Sequence, residues 1–287
     1  MLILVKRNAD TADHVLIDVY STTNFWYAYA VAVLCQQQRL KYIPLLHGGN
    51  LPERLKKSPK TCHQIFGKAH IVVSPSLYLK EIFENEGYNN IEYISNSIPL
   101  GHYKFKKRKT IRPRLLWVRA FAQIYHPMLA LKVLENLLKE FPEAELCMVG
   151  PHKDGTMETC RKYAAQKGLP VRFTGKLLKE KWITLSAEYD IFLNTTNIDN
   201  TPVSVIEAMA LGLPVVSTNV GGIPYLIAEN EEGLLVPPNN PKEMASAVLE
   251  LLQKPEKAEE MVQAARKKVE AFDWEAVKYQ WREALGE

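Results

Sequence analysis

The chain has 287 residues, of which 47% are hydrophobic and 24% are charged, and its formal net charge at pH 7 is +4. This composition is ordinary for a globular protein and argues against a chain that lacks a packed core. The length suits two domains or one large domain. The mild basicity is compatible with anionic ligands or with an anionic membrane face, and it identifies neither.

The cysteines and the apolar segments indicate the cellular compartment of the protein. The cysteines Cys35, Cys62, Cys147 and Cys160 form no Cys-x-x-Cys pair, and no secretory signal is recognisable. These features predict a reduced, cytoplasmic protein. The most apolar stretch, 25–34, is about half the length of a bilayer span, so we interpret it as a helix buried against a sheet and not as a membrane-dipping segment.

Short apolar runs alternate with helical patterns along the whole chain. The runs are continuous and do not alternate with polar residues, which is typical of parallel strands covered on both faces. Strand–helix alternation of this kind predicts an α/β doubly wound architecture. The predicted strands are 14–19, 42–46, 71–74, 91–95, 115–118, 145–149, 171–174, 190–194, 214–218 and 233–236. The predicted helices are 24–38, 77–85, 128–140, 156–166, 180–188, 203–211 and 242–253, followed by 256–271.

A basic segment interrupts this rhythm at 103–114, with seven lysines and arginines. We interpret it as a linker between two domains. The alternative is contact with anionic lipid headgroups or an anionic acceptor.

The last helix is predicted to begin after Asp273, a plausible N-cap. Trp274, Val277 and Trp281 are spaced three and four residues apart, so they share one helix face. This face packs either within its own lobe or across to the first lobe.

A strand, a polar loop and a helix follow one another between Asp190 and Gly212. Thr201 is a candidate N-cap, and Pro202 suits the first helical position because it lacks an N–H. The free N–H groups at this helix start would form an anion site at the carboxyl edge of the sheet. Glu207 lies about 7.5 Å further along the helix axis, where a carboxylate can accept hydrogen bonds from a ribose diol.

Three features of this segment carry a family resemblance: Asp199, the run Glu207–Val216, and the pair Gly221-Gly222. Together they resemble the donor-site signature of retaining glycosyltransferases of the GT-B fold, family 4 type, and a weaker resemblance extends over 14–287. It implies two Rossmann-like parallel-sheet lobes, the N-terminal one truncated. The acceptor-side lobe would span 1–108 and the nucleotide-sugar-binding lobe 109–271, with a C-terminal helix at 272–287 that packs back on the first lobe.

The resemblance also implies roles for particular residues. Glu207 would bind the donor ribose, Asp199 the hydroxyls of the transferred sugar, and Arg119 the diphosphate, with a geometry that suits phosphate oxygens. His47, which follows a predicted strand, would reach the donor sugar. The remaining candidate donor-binding residues are Gly150, Lys176, Thr201, Pro202, Val203 and Ser204.

The implied reaction transfers a sugar from a nucleoside diphosphate to a saccharide or a lipid-linked acceptor, with retained configuration. The leaving phosphate can take the acceptor proton, so neither a cofactor nor a metal is expected. No Asp-x-Asp, His-Glu-x-x-His or Cys-x-x-Cys motif is present, and nucleotide-binding glycine motifs are also missing. Peripheral contact with the inner membrane face is a further expectation, and nucleic acid is not expected as a partner.

The sequence departs from the family pattern in two places. The family usually carries a lysine five or six residues after the arginine, where this chain has Ile124 and Tyr125. The first lobe also looks short, which suggests that its first strand–helix units are missing. A catalytically weak or inactive nucleotide-sugar-binding relative is therefore one alternative, and another GT-B enzyme, such as a nucleotide-sugar epimerase, is a second.

Overall fold

The computed structural model describes residues 2–286 and contains every strand that the sequence predicts, with ends shifted by at most two residues. Continuous apolar runs therefore identified the strands correctly. The strands are β1 (His14–Val19), β2 (Lys41–Leu46), β3 (Val72–Ser74), β4 (Ile91–Tyr93), β5 (Arg114–Val118), β6 (Glu145–Val149), β7 (Val171–Gly175), β8 (Ile191–Asn194), β9 (Val215–Thr218) and β10 (Leu234–Val236).

The predicted helices are also present, together with further short helices, and two of these, α3 and α4, have no counterpart in the sequence analysis. Both are short and begin near a proline, with buried side chains on one face only. The helices are α1 (Leu2–Arg7), α2 (Asn24–Gln37), α3 (Leu51–Lys57), α4 (Pro59–Phe66), α5 (Leu77–Asn85), α6 (Pro127–Leu137), α7 (Thr156–Lys167), α8 (Lys179–Ser186), α9 (Val203–Ala210), α10 (Ile223–Leu226), α11 (Pro241–Gln253), α12 (Pro255–Val269) and α13 (Trp274–Leu285).

The chain divides into two compact units. The first unit comprises the residues up to Ser97, the triplet Asp199–Thr201, and the residues from Glu275 onward. The second comprises Ile98–Ile198 and Pro202–Trp274. The boundary thus falls before Ile98 and not at residue 108, because Leu100 and Tyr103 are buried in the core of the second unit.

The first unit is built on a parallel four-stranded sheet in the order β1-β2-β3-β4. One core joins α2, α4 and α5 to one side of the sheet and includes Phe25, Phe66 and Phe83. A second, smaller core contains Val277 of α13 together with Ile43 and Val73. Trp281 packs against this smaller core, whereas the side chain of Trp274 is 46% exposed.

The second unit is built on a parallel six-stranded sheet in the order β10-β9-β8-β5-β6-β7. From β5 the chain adds β6 and β7 on one side and then β8, β9 and β10 on the other. Buried residues form a core on each face of the sheet. In such doubly wound sheets, ligands bind beyond the carboxyl ends of the strands where the order reverses, here beside β5 and β8.

The basic segment 103–114 belongs to the second unit, and several of its charges have structural partners. Arg108 is buried beside Asp190, with 3.4 Å between Nε and Oδ1, and it donates to the carbonyl oxygen of Gly212 at 2.6 Å. Burial lowers the pKa of Arg108 to about 10, although Asp190 opposes this shift. Lys106 donates to the carbonyl oxygen of Ala187. These contacts tie the segment to its own unit.

Helix α2 contains the apolar stretch considered for membrane contact. It buries Phe25, Ala28 and Val31, among others, in the core of the first unit. Among residues 2–286, we find no helix with the length and apolar character that a membrane crossing requires.

Candidate functional site

A cavity of about 330 Å³ lies in the second unit, beyond the carboxyl ends of β5, β6 and β7. Arg119 and Glu207 both line it, so the two residues with the most specific predicted roles share one cavity. Three other predicted residues line it as well: Gly150, Lys176 and Ser204. The chain therefore brings together a guanidinium, a carboxylate and the start of α9 at the edge where parallel sheets bind ligands.

Gly150 lets the ends of β5 and β6 approach each other closely. A Cβ atom at this position would lie 1.7 Å from the carbonyl oxygen of Arg119. The backbone N–H of Arg119 also donates to the carbonyl oxygen of Val149 at 3.0 Å. Glycine is thus required by the backbone that positions Arg119, and not only by space for a ligand.

Tyr125 packs against the side chain of Arg119. The Cζ atom of Arg119 lies 4.3 Å from the centroid of the Tyr125 ring, which is a cation–π contact. Tyr125 occupies one of the positions where the family pattern has a lysine. An aromatic ring therefore packs on the guanidinium at a position where the family pattern has a second cation.

The start of α9 differs in detail from the prediction. Pro202, at φ −70° and ψ 114°, is the N-cap residue, and the helix begins at Val203. Thr201 does not cap this helix with its side chain, because its hydroxyl donates to the carbonyl oxygen of Pro75 at 3.1 Å. Among the described residues, the cavity lining includes Ser204 but not Thr201, Pro202 or Val203.

Ser204 and Glu207 are the polar side chains that α9 contributes to the cavity. The hydroxyl of Ser204 is buried and has no hydrogen-bond partner among residues 2–286. A buried hydroxyl without a partner is costly, so its position in a cavity points to a polar ligand. Glu207 is 3% exposed on a helix whose other side chains are largely buried.

Two side chains hold the Glu207 carboxylate. The buried phenol of Tyr103 donates to Oε1 at 2.7 Å, and the ammonium of Lys179 forms an ion pair with the same oxygen. Burial, followed by the hydrogen bond to Glu207, raises the pKa of Tyr103, so its hydroxyl stays protonated and acts as a donor. Both contacts are made by Oε1 of Glu207, and neither of them involves Oε2.

Asp199 is placed differently from Glu207. The triplet Asp199–Thr201 belongs to the first unit, and Asp199 is not among the described residues that line the cavity of the second unit. Within the first unit, Asn200 donates to the carbonyl oxygen of Leu46 at 3.0 Å, and a Cβ on Gly49 would lie 2.8 Å from the carbonyl carbon of Asp199. Asp199 and Glu207 therefore belong to different units.

His47 follows β2 in the first unit and is oriented by two neighbours. Its Nε2 lies 2.8 Å from Oδ1 of Asp18, which comes near the end of β1. The ring of Tyr20 stacks on the imidazole with centroids 5.4 Å apart. The adjacent Gly48 leaves no room for a side chain, because a Cβ would lie 2.7 Å from the backbone nitrogen of Ser21. The imidazole is therefore held in a defined orientation.

Sequence reasoning missed three residues of this site: Lys179, Tyr103 and Tyr125. The contacts of Lys179 and Tyr103 with Glu207 span 28 and 104 positions of the chain, and no local pattern encodes them. Tyr125 was noted only as a departure from the family pattern, without its contact with Arg119.

The parallel six-stranded sheet defines an α/β doubly wound lobe with a polar cavity, and the first unit adds a second parallel-sheet lobe. The chain matches the family described as Glycosyl transferases group 1 over residues 102–268, and it belongs to that family. The matched region contains Arg119, Gly150 and Glu207. The fold is GT-B-like, as the resemblance implied.

Two curated relatives illustrate the sequence similarity. The chain is 31% identical over 152 residues to sulfoquinovosyl transferase SQD2 of Arabidopsis thaliana. This match covers 51% of this chain and 29% of that protein. It is 30% identical over 156 residues to D-inositol 3-phosphate glycosyltransferase of Corynebacterium efficiens, and this match covers 52% of this chain and 37% of that protein. The matched segment thus spans well under half the length of these relatives.

Similarity to solved structures extends over nearly the whole chain. HepE of Anabaena, crystallised with UDP and glucose, superposes with a TM-score of 0.82 at 18% identity and covers 99% of this chain and 81% of that one. At this level of identity the superposition establishes the shared fold.

Proposed function

We propose that this chain carries the donor-binding lobe of a glycosyltransferase that uses a nucleoside diphosphate sugar. The observation that carries the proposal is the single cavity lined by Arg119, Ser204 and Glu207. A guanidinium suits phosphate oxygens, and a buried carboxylate suits vicinal hydroxyls. Family membership and the complexes of HepE with UDP and with UDP-glucose support the same ligand class.

The parts of the cavity have separate tasks in this proposal. Glu207 accepts hydrogen bonds from the ribose hydroxyls, and Tyr103 fixes the carboxylate. Arg119, oriented by Tyr125, binds the diphosphate together with the Ser204 hydroxyl and the first N–H groups of α9. Charge that develops on the departing diphosphate is then stabilised by groups already in position, which lowers the barrier to sugar transfer.

The finer features of the reaction are part of the proposal. We propose transfer with retained configuration, in which the leaving phosphate takes the acceptor proton, without a metal or another cofactor. His47 and Asp199, both in the first unit, are proposed to contact the transferred sugar. The proposed acceptor is a saccharide or a lipid-linked saccharide, and peripheral contact with an anionic membrane face follows only if the acceptor is lipid-linked.

A binding screen tests the proposal. Thermal unfolding of the wild type would be followed with UDP-, GDP- and ADP-sugars, because a ligand at 100 times its Kd stabilises the folded state by about 2.7 kcal/mol. At least one nucleotide sugar should raise the Tm of the wild type but not that of Glu207→Ala. The absence of any response from the wild type would refute the proposal.

One observation favours a second candidate function, in which the protein binds the nucleotide sugar but transfers the sugar weakly or not at all. Tyr125 stands where the family pattern has a lysine, so one cation expected at the diphosphate is replaced by an aromatic ring. A protein that binds the donor without transferring sugar would show nucleotide-sugar stabilisation but no release of nucleoside diphosphate. Measuring that release with mixed saccharide acceptors distinguishes the two functions.

A further inference from the structure

The ion pair between Lys179 and Glu207 joins an exposed cation to a buried anion. The Lys179 side chain is 50% exposed, whereas that of Glu207 is 3% exposed. A buried carboxylate is costly without a compensating charge, so Lys179 serves as the counterion of Glu207 in the ligand-free protein. The lysine itself is not confined, because half of its surface lies in water and its flexible stem can rotate.

The same cavity has an unusual balance of charges. Among the described residues that line it, Arg119, Lys176 and Lys179 are cationic and Glu207 is the only acid. Lys179 forms an ion pair with Glu207. A ligand whose hydroxyls bind Glu207 would compete with the Lys179 ammonium for Oε1. The displaced ammonium would remain at the edge of the cavity that contains Arg119.

We propose that Lys179 binds the diphosphate of the ligand by exchanging its contact with Glu207 for a contact with a phosphate oxygen. In the ligand-free protein its ammonium neutralises Glu207. When the ribose hydroxyls of a nucleotide donate to Glu207, the ammonium leaves Oε1 and binds a phosphate oxygen beside Arg119. Lys179 thereby supplies the cation that Ile124 and Tyr125 do not provide. This inference rests on the proposed nucleotide-sugar function and adds a residue to it.

The exchange has a consequence that a purely structural ion pair does not have. For a nucleoside without phosphates, Lys179 is only a competitor for Glu207. For the matching nucleoside diphosphate, it is both a competitor and a ligand. Removing its charge should therefore leave nucleoside binding unchanged or tighter, and it should weaken diphosphate binding.

Lys179→Met removes the ammonium and retains an unbranched apolar side chain. The full chain would be titrated, by calorimetry and by NMR for the weaker ligands, with three pairs of probes: uridine and UDP, guanosine and GDP, adenosine and ADP. For the pair that the wild type binds, we expect Lys179→Met to raise the Kd of the diphosphate about tenfold or more, the loss of one charged hydrogen bond. The Kd of the nucleoside should not rise.

Two further variants serve as controls. Lys179→Arg retains the charge and should restore diphosphate binding to within about threefold of the wild type, because an arginine also binds phosphate. Lys181→Met removes an exposed lysine from the same helix and should change neither Kd. The Tm of each variant, measured without ligand, shows that it is folded.

The outcomes separate this inference from the proposed function. If Lys179→Met weakens the nucleoside and the diphosphate by the same factor, Lys179 only supports Glu207 and the inference is wrong. An unchanged diphosphate Kd also overturns it, while the proposed function stands in both cases. If the wild type binds none of the three diphosphates, the proposed function and the inference both fail.

Discussion

The two units of this protein have the same architecture but differ in how completely their sheets are covered. In the second unit the first strand, β5, lies in the middle of six strands, and Leu115, Leu116 and Trp117 are all buried. In the first unit the first strand, β1, lies at the edge of four strands, and Leu16 is 52% exposed. The polar cavity with predicted ligand-binding residues occurs at the central β5, where the strand order reverses.

This difference suggests a division of tasks. The second unit combines a fully covered sheet with Arg119, Ser204 and Glu207 in one cavity, which suits binding of a nucleotide. The first unit offers His47, held by Asp18 and Tyr20, which suits contact with a reacting sugar. Variants of the cavity residues in the second unit should then change nucleotide affinity, and variants at His47 should change turnover.

The largest effect is expected from Glu207→Ala. The variant loses two charge-assisted hydrogen bonds to the ribose, so the Kd for the nucleoside diphosphate should rise about a hundredfold or more. Calorimetric titration measures this change. Glu158→Ala, which removes an exposed acid of the same unit, is the control and should leave the Kd unchanged. Equal affinities in Glu207→Ala and the wild type would assign the ribose to another site.

Gly150→Ala tests the backbone that supports Arg119. The new Cβ would overlap the carbonyl oxygen of Arg119, so the ends of β5 and β6 must separate. We expect the free energy of unfolding to fall by about 2–3 kcal/mol, as for other overpacked sites, and the nucleotide affinity to fall with it. Urea denaturation measures the stability.

Gly101→Ala is the matched control in the same unit, because a Cβ at that position would meet no atom within 4 Å. If both variants were equally stable, the close approach at Gly150 would have no energetic importance.

His47→Ala should separate turnover from binding. The imidazole is proposed to contact the transferred sugar and not the nucleotide, so the transfer rate should fall about a hundredfold through loss of positioning. The Kd for the nucleoside diphosphate should stay within about twofold of the wild type, because the donors at the diphosphate are untouched. Comparing the transfer rate with the Kd checks this. A large loss of nucleotide affinity would contradict the division of tasks.

The smallest effect is expected from Tyr125→Leu. The substitution removes the cation–π contact with Arg119, which is worth about 0.5–1 kcal/mol, and the nucleoside diphosphate should bind about two- to fivefold more weakly. Tyr163→Leu, in the same unit, is a control that should not affect binding, since the Tyr163 hydroxyl bonds to Glu135. An unchanged Kd in Tyr125→Leu would show that the ring does not orient the guanidinium.

Sequence reasoning predicted the strands well, because a strand buried on both faces leaves a continuous apolar run that needs no tertiary information. The family resemblance also implied that Arg119 and Glu207 act in one donor site with Gly150, and the structure places all three in the lining of one cavity. It missed α3 and α4, whose buried positions, such as Leu51 and Leu55, are sparse among charged residues.

Three details of the site depend on tertiary structure, and a local pattern could not predict them. Thr201 looked like an N-cap, but its hydroxyl binds the carbonyl oxygen of Pro75, far away in the sequence. Asp199 and Glu207 carry the same family resemblance, although the structure assigns them to different units. The ion pair between Lys179 and Glu207 joins the first residue of α8 to α9, 28 positions along the chain.

A crystal structure of the complex with the nucleoside diphosphate that raises the Tm most would test the central claim most directly. We predict phosphate oxygens within hydrogen-bond distance of the Arg119 guanidinium and ribose hydroxyls on the Glu207 carboxylate, in the cavity between β5 and α9. A nucleotide bound elsewhere on the chain, with neither residue in contact, would contradict the account.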